Sequence, residues 1–371
     1  MSVATNKQTI KSKGLSTSIS KQFPKLLLHW HQHHNNRAMP WKGEKNAYKI
    51  WLSEVILQQT RVEQGLAYYN KFIEVYPNIQ LLAAAKDEEV FKLWEGLGYY
   101  SRCRNLLHTA REITRKFDAI FPTKYEDIIK LKGIGSYTAA AIASFAYNQP
   151  YAVLDGNVFR VLSRVFAIDI AIDSNDGKKY FTSLSQELLD HKNPALYNQA
   201  IMDLGATTCK PQQPLCDACP LQKLCKAYSL NTIAKYPFKE KKNTILTRWF
   251  YYLVIEHNNK ILIKQRTEKD IWQHLHEFYL VETQEKEDIS KQVIQKWVKK
   301  EIGLNKFLLK SVSKEQQQKL THRTIKGNFI ELELLSHTEF KDHFWIDKKD
   351  IHKYSFPRFI HSYFENNQTI Y

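Results

Sequence analysis

No apolar run in these 371 residues approaches the roughly 20 residues that a membrane-spanning helix needs. Cysteine is sparse. Of only five, four crowd between Cys209 and Cys225, and Cys103 stands apart. That distribution excludes the spread framework of a disulfide-stapled secreted domain and points to a metal or cluster site in a reducing compartment. Acidic residues are also short, 38 Asp+Glu against 54 Lys+Arg, for a formal charge of +16. The excess is +9 over residues 1–230 and +7 over residues 231–371, so no single tail carries it. A charge so spread suits a nucleic acid better than a local membrane-binding patch. Residues 1–20 contain no acid, no Arg and no apolar h-region. They read as a disordered basic arm rather than a transit peptide.

What is present allows two or three domains with sizeable cores, since 43% of residues are hydrophobic. His29, His31, His33 and His34 form a patch with no Cys or carboxylate at ligand spacing, and no metal is assigned to it. The turn Arg37-Ala-Met-Pro-Trp41 follows. Ser53 is a candidate N-cap, which places Glu54 in the first turn of a helix to about Phe72. An acid there favours the helix dipole, but its flanks Ile50-Trp51-Leu52 and Val55-Ile56-Leu57 are apolar. A carboxyl group among them should have a raised pKa and hold a proton near neutral pH. Further helices are expected over 81–95, 104–116, 178–189 and 195–205, with no strand before residue 230. Residues 231–247 read as a linker. Beyond it, Trp249–Glu256 and Lys260–Arg266 flank His257-Asn-Asn as a β-hairpin, Val293–Ile302 suggests a helix, and 329–335 another strand. An all-α half at 21–230 is therefore followed by an α+β half at 248–371.

Two glycines, Gly133 and Gly135, permit a tight turn, with Ile134 pointing back into the core. The small residues from Thr138 onward should form a helix whose first N–H groups face that turn, a backbone cradle for a phosphate. Asp155 opens another helix, with Val158, Val161, Leu162 and Val165 at helical spacing. An ordinary turn and an Asp N-cap are the plain alternatives. Cys209-x6-Cys216-x2-Cys219-x5-Cys225 can hold either zinc or a [4Fe–4S] cluster. Structural zinc usually takes two paired-Cys knuckles, and only Cys216 and Cys219 form a pair.

Together these motifs resemble the helix-hairpin-helix DNA glycosylases of the endonuclease III superfamily, and within them the MutY-type adenine DNA glycosylases. The segments Ser53-Glu-Val-Ile-Leu-Gln-Gln-Thr, Trp94-Glu-Gly-Leu-Gly-Tyr-Tyr, Leu154-Asp-Gly-Asn-Val and Asn198-Gln-Ala-Ile-Met-Asp-Leu-Gly-Ala carry the resemblance. It covers residues 24–228 closely and the remainder loosely. It implies a helix-hairpin-helix glycosylase with a [4Fe–4S] loop, joined to a Nudix-like α+β domain that reads 8-oxoguanine. The implied partner is double-stranded DNA with adenine opposite 8-oxoguanine or guanine. A cytoplasmic, nucleoid-associated monomer with transient repair or replication partners is expected.

By the same resemblance Glu54 protonates adenine N7, and Asp155 stabilises the oxocarbenium-like sugar. Tyr137 and Asn157 orient them. Arg37, Trp41 and Gln199 match the adenine pocket, and Gln59 and Tyr99 match residues that enter the duplex, with Leu57 beside them. Gly133 and Gly135 contact phosphate, and Cys209, Cys216, Cys219 and Cys225 hold the cluster. Where relatives carry a Phe-Ser-His loop, this chain has Leu320-Thr321-His322, making Thr321 the candidate reader of the oxidised base. The Glu-rich metal helix of working Nudix hydrolases is missing, Lys299-Lys-Glu-Ile-Gly-Leu being at most a remnant. Two rivals are a bifunctional glycosylase/lyase and a non-catalytic iron–sulfur DNA-binding protein. The first needs a lysine where Tyr137 stands. The second has no use for both Glu54 and Asp155.

Overall fold

The computed structural model describes residues 17–39, 41–240, 245–304 and 306–366. Of the expected basic arm, residues 1–16 lie outside the described residues, and residues 17–20 already belong to the first helix. Residues 241–244 of the expected linker lie outside as well.

The helices are α1 (Thr17–His33), α2 (Ala47–Leu57), α3 (Val62–Val75), α4 (Ile79–Ala84), α5 (Asp87–Trp94) and α6 (Ser101–Lys116). They continue with α7 (Tyr125–Ile128), α8 (Ser136–Tyr147), α9 (Gly156–Phe166), α10 (Asn175–Leu188), α11 (Pro194–Thr207) and α12 (Lys226–Ser229). Among the described residues no strand precedes β1 (Leu246–His257). After it come β2 (Lys260–Gln265), β3 (His276–Glu277), β4 (Tyr279–Thr283), α13 (Lys291–Trp297), β5 (Leu308–Val312), β6 (Gln316–Lys319), β7 (Arg323–Glu333), β8 (Phe344–Asp347) and α14 (Arg358–Asn366). Among the described residues no helix is long and apolar enough to cross a membrane.

By packing, the chain forms two compact units. One comprises residues through Glu54 and those from Phe121 to 240; the other comprises Val55–Ile120 and the residues from 245 onward. In the first unit the expected stripe on α9 is buried, Val158, Val161, Leu162 and Val165 being at most 3% exposed. It packs with Phe23 and Leu27 of α1, Phe181 and Leu184 of α10, and Ile201 and Leu204 of α11. Gly133 takes the left-handed backbone (φ +79) that closes the turn before α8, and Ile134 is buried as expected. Gly135 has ordinary backbone (φ −91) and serves as the N-cap residue. Residues 231–240 are not a free tether, because Arg164 Nε donates to Tyr236 O (3.3 Å) and Ile172 N to Phe238 O (3.0 Å).

The helix around Glu54 departs from its expected bounds. Asn46 Oδ1 accepts from the N–H groups of Tyr48 (3.0 Å) and Lys49 (3.2 Å), so α2 starts at Ala47, ahead of Ser53. Ser53 Oγ instead donates to Ile50 O (2.8 Å) inside the helix. Gln59, in left-handed backbone (φ +57), separates α2 from α3, so Glu54 stands near the C-terminal end of a short helix. The single helix expected over 81–95 is also divided, with Ala85 extended and its carbonyl bonded to Arg111 Nη2 (2.9 Å).

In the second unit, β1 lies at the centre of the sheet, parallel to β7 and antiparallel to β2 and β4. The expected hairpin is present, turning at Asn258 and Asn259, both left-handed. Residues 250–255 of β1 are all fully or nearly buried, since Tyr251, Leu253 and Ile255 pack on Ile294 and Trp297 while Phe250 and Tyr252 meet an aromatic layer with Phe329 and Phe359. The helices of residues 55–120 belong to this unit. Lys92 Nζ donates to Tyr354 O (3.1 Å), Phe356 N to Glu95 Oε1 (2.8 Å), and Arg104 Nη1 to Gln273 O (3.1 Å). The helix expected at 293–302 runs from Lys291 to Trp297 and continues as a π turn that ends before left-handed Gly303.

Candidate active site

In the first unit α2, α8 and α9 bring Glu54, Tyr137 and Asp155 together. Glu54 is 8% exposed, and burial raises its carboxyl pKa to about 7; a hydrogen bond from Tyr137 partly opposes the shift and the nearby Asp155 charge adds to it. Burial also raises the Tyr137 phenol well above its ordinary value, so it remains a donor. Asp155 caps α9, Oδ1 accepting from Val158 N (2.7 Å) and Oδ2 from Asn157 Nδ2 (2.8 Å). Burial raises its pKa too, against those hydrogen bonds and the charge of Arg160. The N-cap and the candidate catalytic carboxylate are thus one residue. A carboxyl group with its pKa raised to about 7 thus stands near a second one that accepts two hydrogen bonds, an arrangement that could serve acid-assisted glycosidic cleavage.

A hydrogen-bonded chain continues behind Asp155. Asn157 Oδ1 accepts from Arg160 Nη2 (2.8 Å), and Arg160 Nε donates to Cys209 O (2.7 Å). Gly205 makes room for it, because a Cβ there would stand 2.5 Å from Asn157 Cβ. Cys209, Cys216, Cys219 and Cys225 all line one cavity, closed by Val161, Val165, Leu204 and Leu221. Arg164 Nη1 lies 3.4 Å from Cys209 Sγ. Among the described residues no group of three or more His, Cys, Asp or Glu side chains is already gathered to hold a metal ion.

The residue that sequence reasoning missed is Asp203. It is fully buried on α11, and its Oδ1 accepts from Arg37 Nη1 (2.8 Å) and Gln199 Nε2 (3.0 Å). Its Oδ2 accepts from Asn35 Nδ2 (2.7 Å) and Lys42 Nζ (3.2 Å). Arg37 and Gln199, both expected in the base pocket, therefore share one anchor. His31 leaves the histidine patch to meet it: its Nδ1 accepts from Asn35 (2.8 Å), and burial, then Lys42, lowers its pKa. The signal available in the sequence was an acid four residues after Gln199, the only charged residue of α11. Trp41 is half-buried in the turn that joins Met39 O to Lys42 N (2.9 Å).

The remaining expected residues lie in the second unit. Leu57 is half-buried and Gln59 exposed. Tyr99 is 44% exposed, in left-handed backbone (φ +49), and its hydroxyl is hydrogen-bonded to that of exposed Thr321. Arg102 fixes both loops. Its Nη1 donates to the carbonyls of Val55 (2.9 Å), Ile56 (2.8 Å) and Gln58 (2.7 Å), and its Nη2 reaches Gly98 O (3.2 Å). The guanidinium also lies over the Trp94 and Tyr99 rings.

A helical fold with a glycine turn, paired enclosed carboxyl groups and a four-cysteine loop defines a helix-hairpin-helix DNA glycosylase, here joined to a Nudix-like domain. Residues 52–189 match the HhH-GPD superfamily of base excision DNA repair proteins, and residues 250–366 match the NUDIX domain. A thermostable thymine-DNA glycosylase of known structure is similar over 57% of this chain and 98% of its own, at TM-score 0.54 and 26% identity. An adenine DNA glycosylase of Buchnera aphidicola subsp. Schizaphis graminum is 35% identical, covering 91% of this chain and 96% of that protein. The mouse adenine DNA glycosylase is 44% identical over 56% of this chain and 42% of its own. The chain belongs to the adenine DNA glycosylase family and is a DNA N-glycosylase.

Proposed function

We propose that this enzyme removes adenine paired with 8-oxoguanine or guanine, leaving an abasic site in an intact strand. The observation that carries the reading is the buried Glu54 carboxyl, with pKa about 7, beside Asp155 and hydrogen-bonded to Tyr137. Protonated Glu54 donates to adenine N7 and makes the base a leaving group. Asp155, held by Val158 N and Asn157, presents a carboxylate to the developing sugar cation, which water captures at C1′, losing a proton, to give the abasic site. Tyr137 keeps its proton and orients Glu54. The base must leave the stack to reach them; Arg37, Trp41 and Gln199 receive it, while Gln59, Leu57 and Tyr99 fill or flank the gap. Gly133 and Gly135 lie at the N-terminus of α8, where free N–H groups suit a phosphate. Thr321 reads the opposing oxidised base. In sequence terms, residues 21–230 form the glycosylase and residues 248–371 the reader.

The cysteine set fits a [4Fe–4S] cluster, with four thiols on one cavity whose other walls are largely apolar. Bound there, a cluster supplies a covalent cross-link that holds the loop, and through Cys209 O and Arg160 supports Asn157. A soluble, monomeric enzyme of the cytoplasm, associated with the nucleoid, follows from the same reading. The test incubates the full chain with duplexes carrying adenine opposite each normal or oxidised base. Alkali-labile sites should form opposite 8-oxoguanine and guanine; their absence opposite both overturns the proposal.

A further inference from the structure

We infer that Asp203 sets the polarity of the Gln199 amide and so makes the base pocket select a 6-amino over a 6-keto purine. The inference rests on the adenine-releasing function proposed above. Four donors around the two oxygens of Asp203 suit a carboxylate, which only accepts. Gln199 and Asp203 are four residues apart on α11, so their side chains meet on one face. Against an acceptor-only partner the amide must present Nε2, which turns Oε1 away from the carboxylate. Rotating the amide would set Oε1 against the fully buried Asp203 Oδ1, two acceptors facing each other, with no donor between them. Arg37, held on the same oxygen, restrains that side of the carboxylate.

An exposed amide oxygen accepts from an exocyclic N–H of adenine and repels the carbonyl oxygen of hypoxanthine, which otherwise shares the purine frame and N7. Asp203 acts through Gln199 and not on the base, so it is a positioning residue for specificity.

The experiment measures single-turnover release of adenine, hypoxanthine and unsubstituted purine from otherwise identical duplexes by the full chain. Asp203→Asn offers an N–H to Gln199 and lets the amide turn. The adenine-to-hypoxanthine rate ratio should fall roughly tenfold, the scale of one hydrogen bond exchanged for a mismatch. Asp203→Glu remains acceptor-only and should keep the ratio. A purely structural role would slow all three purines alike and leave the ratio at its wild-type value, and that outcome overturns the inference. Should Asp203→Asn fail to fold, Gln199→Met decides, since it removes the acceptor facing the base and should lower the adenine-to-hypoxanthine ratio. A ratio kept in Gln199→Met shows that no acceptor of Gln199 faced the base and also overturns the inference. If the wild-type chain releases no adenine, the proposed function fails. If it releases adenine and Asp203→Asn retains the ratio, only the role of Asp203 fails.

Discussion

The hydroxyl groups of Tyr99 and Thr321 are hydrogen-bonded to each other, although 222 positions separate them in sequence. Tyr99 is the candidate for entering the duplex and Thr321 the candidate for reading the oxidised base. A threonine hydroxyl can donate to Tyr99 and still accept from the N7–H that oxidation gives to guanine. On the proposed reading, that contact would couple wedge and reader within the second unit.

If so, Tyr99→Phe and Thr321→Val should each reduce the preference for 8-oxoguanine over guanine. The double variant should lose about 1 kcal/mol less than the sum of the single losses. The measurement is binding of both mispairs at one fixed salt concentration by the four proteins. Strictly additive losses would show that the contact plays no part in recognition.

Glu54 links activity to stability with opposite signs. Its folded pKa is about 7 against an ordinary 4.5, so the folded state binds more protons between those values. Stability contributed at low pH is thus lost as pH rises through that window. Glu54→Gln removes the penalty and still accepts from Tyr137. The variant should be more stable by about 3 kcal/mol at pH 8, nearly equal to wild type at pH 4, and devoid of adenine release. Denaturant unfolding at the two pH values checks the first part. A destabilised variant at pH 8 would mean that Glu54 is held there as a favourable carboxylate.

The same value predicts the pH profile of the chemical step. Release should proceed on a plateau below about pH 7 and fall about tenfold per unit above it, as protonated Glu54 is depleted. Single-turnover rates from pH 5.5 to 9 test this, and a profile rising through pH 7 would remove Glu54 from the acid role.

Much of this site was legible because its chemistry contradicts its surroundings. Glu54 inside an apolar run, Asp155 at the head of a helix with an apolar stripe and four cysteines in seventeen residues each stand out locally. The bounds of α2 were not legible: Ser53 and Asn46 are both good caps, and in the fold Asn46 caps while Ser53 turns its hydroxyl to Ile50 O. Asp203 was missed because its donors, Asn35, Arg37 and Lys42, come from 161–168 positions away. The grouping of residues 55–120 with the sheet was equally hidden. It depends on bonds such as that of Glu95 to Phe356 N, which no local pattern announces.

The cysteine loop makes a compositional prediction. Purified protein should be brown and contain about four iron and four sulfide per chain, since four thiols on one largely apolar cavity suit a cubane cluster. Metal and sulfide analysis checks it, and stoichiometric zinc without iron would overturn the assignment.

Arg102 should govern both the stability of the second unit and the seating of the duplex-entering loops. Its guanidinium supplies donors to Val55, Ile56 and Gln58, carbonyls at the end of α2 that no further helical turn satisfies. It also reaches Gly98 O and stacks on Tyr99, so the loops of Gln59 and Tyr99, both left-handed, are tied to one side chain. Arg102→Met keeps the apolar stem over Trp94 but leaves the buried Val55 and Ile56 carbonyls without the guanidinium. At about 1–3 kcal/mol for a buried group left without a partner, the loss should be about 3 kcal/mol or more. Arg102→Lys should recover only part of it, because an ammonium group cannot spread its donors over two loops. Mispair affinity should fall in both variants, while the pH midpoint of adenine release stays near 7, because that value is set in the other unit by burial of Glu54. Thermal melting, mispair binding and the single-turnover pH profile together separate these effects. A stable Arg102→Met protein with wild-type mispair affinity would show that the loops hold their backbone without the clamp.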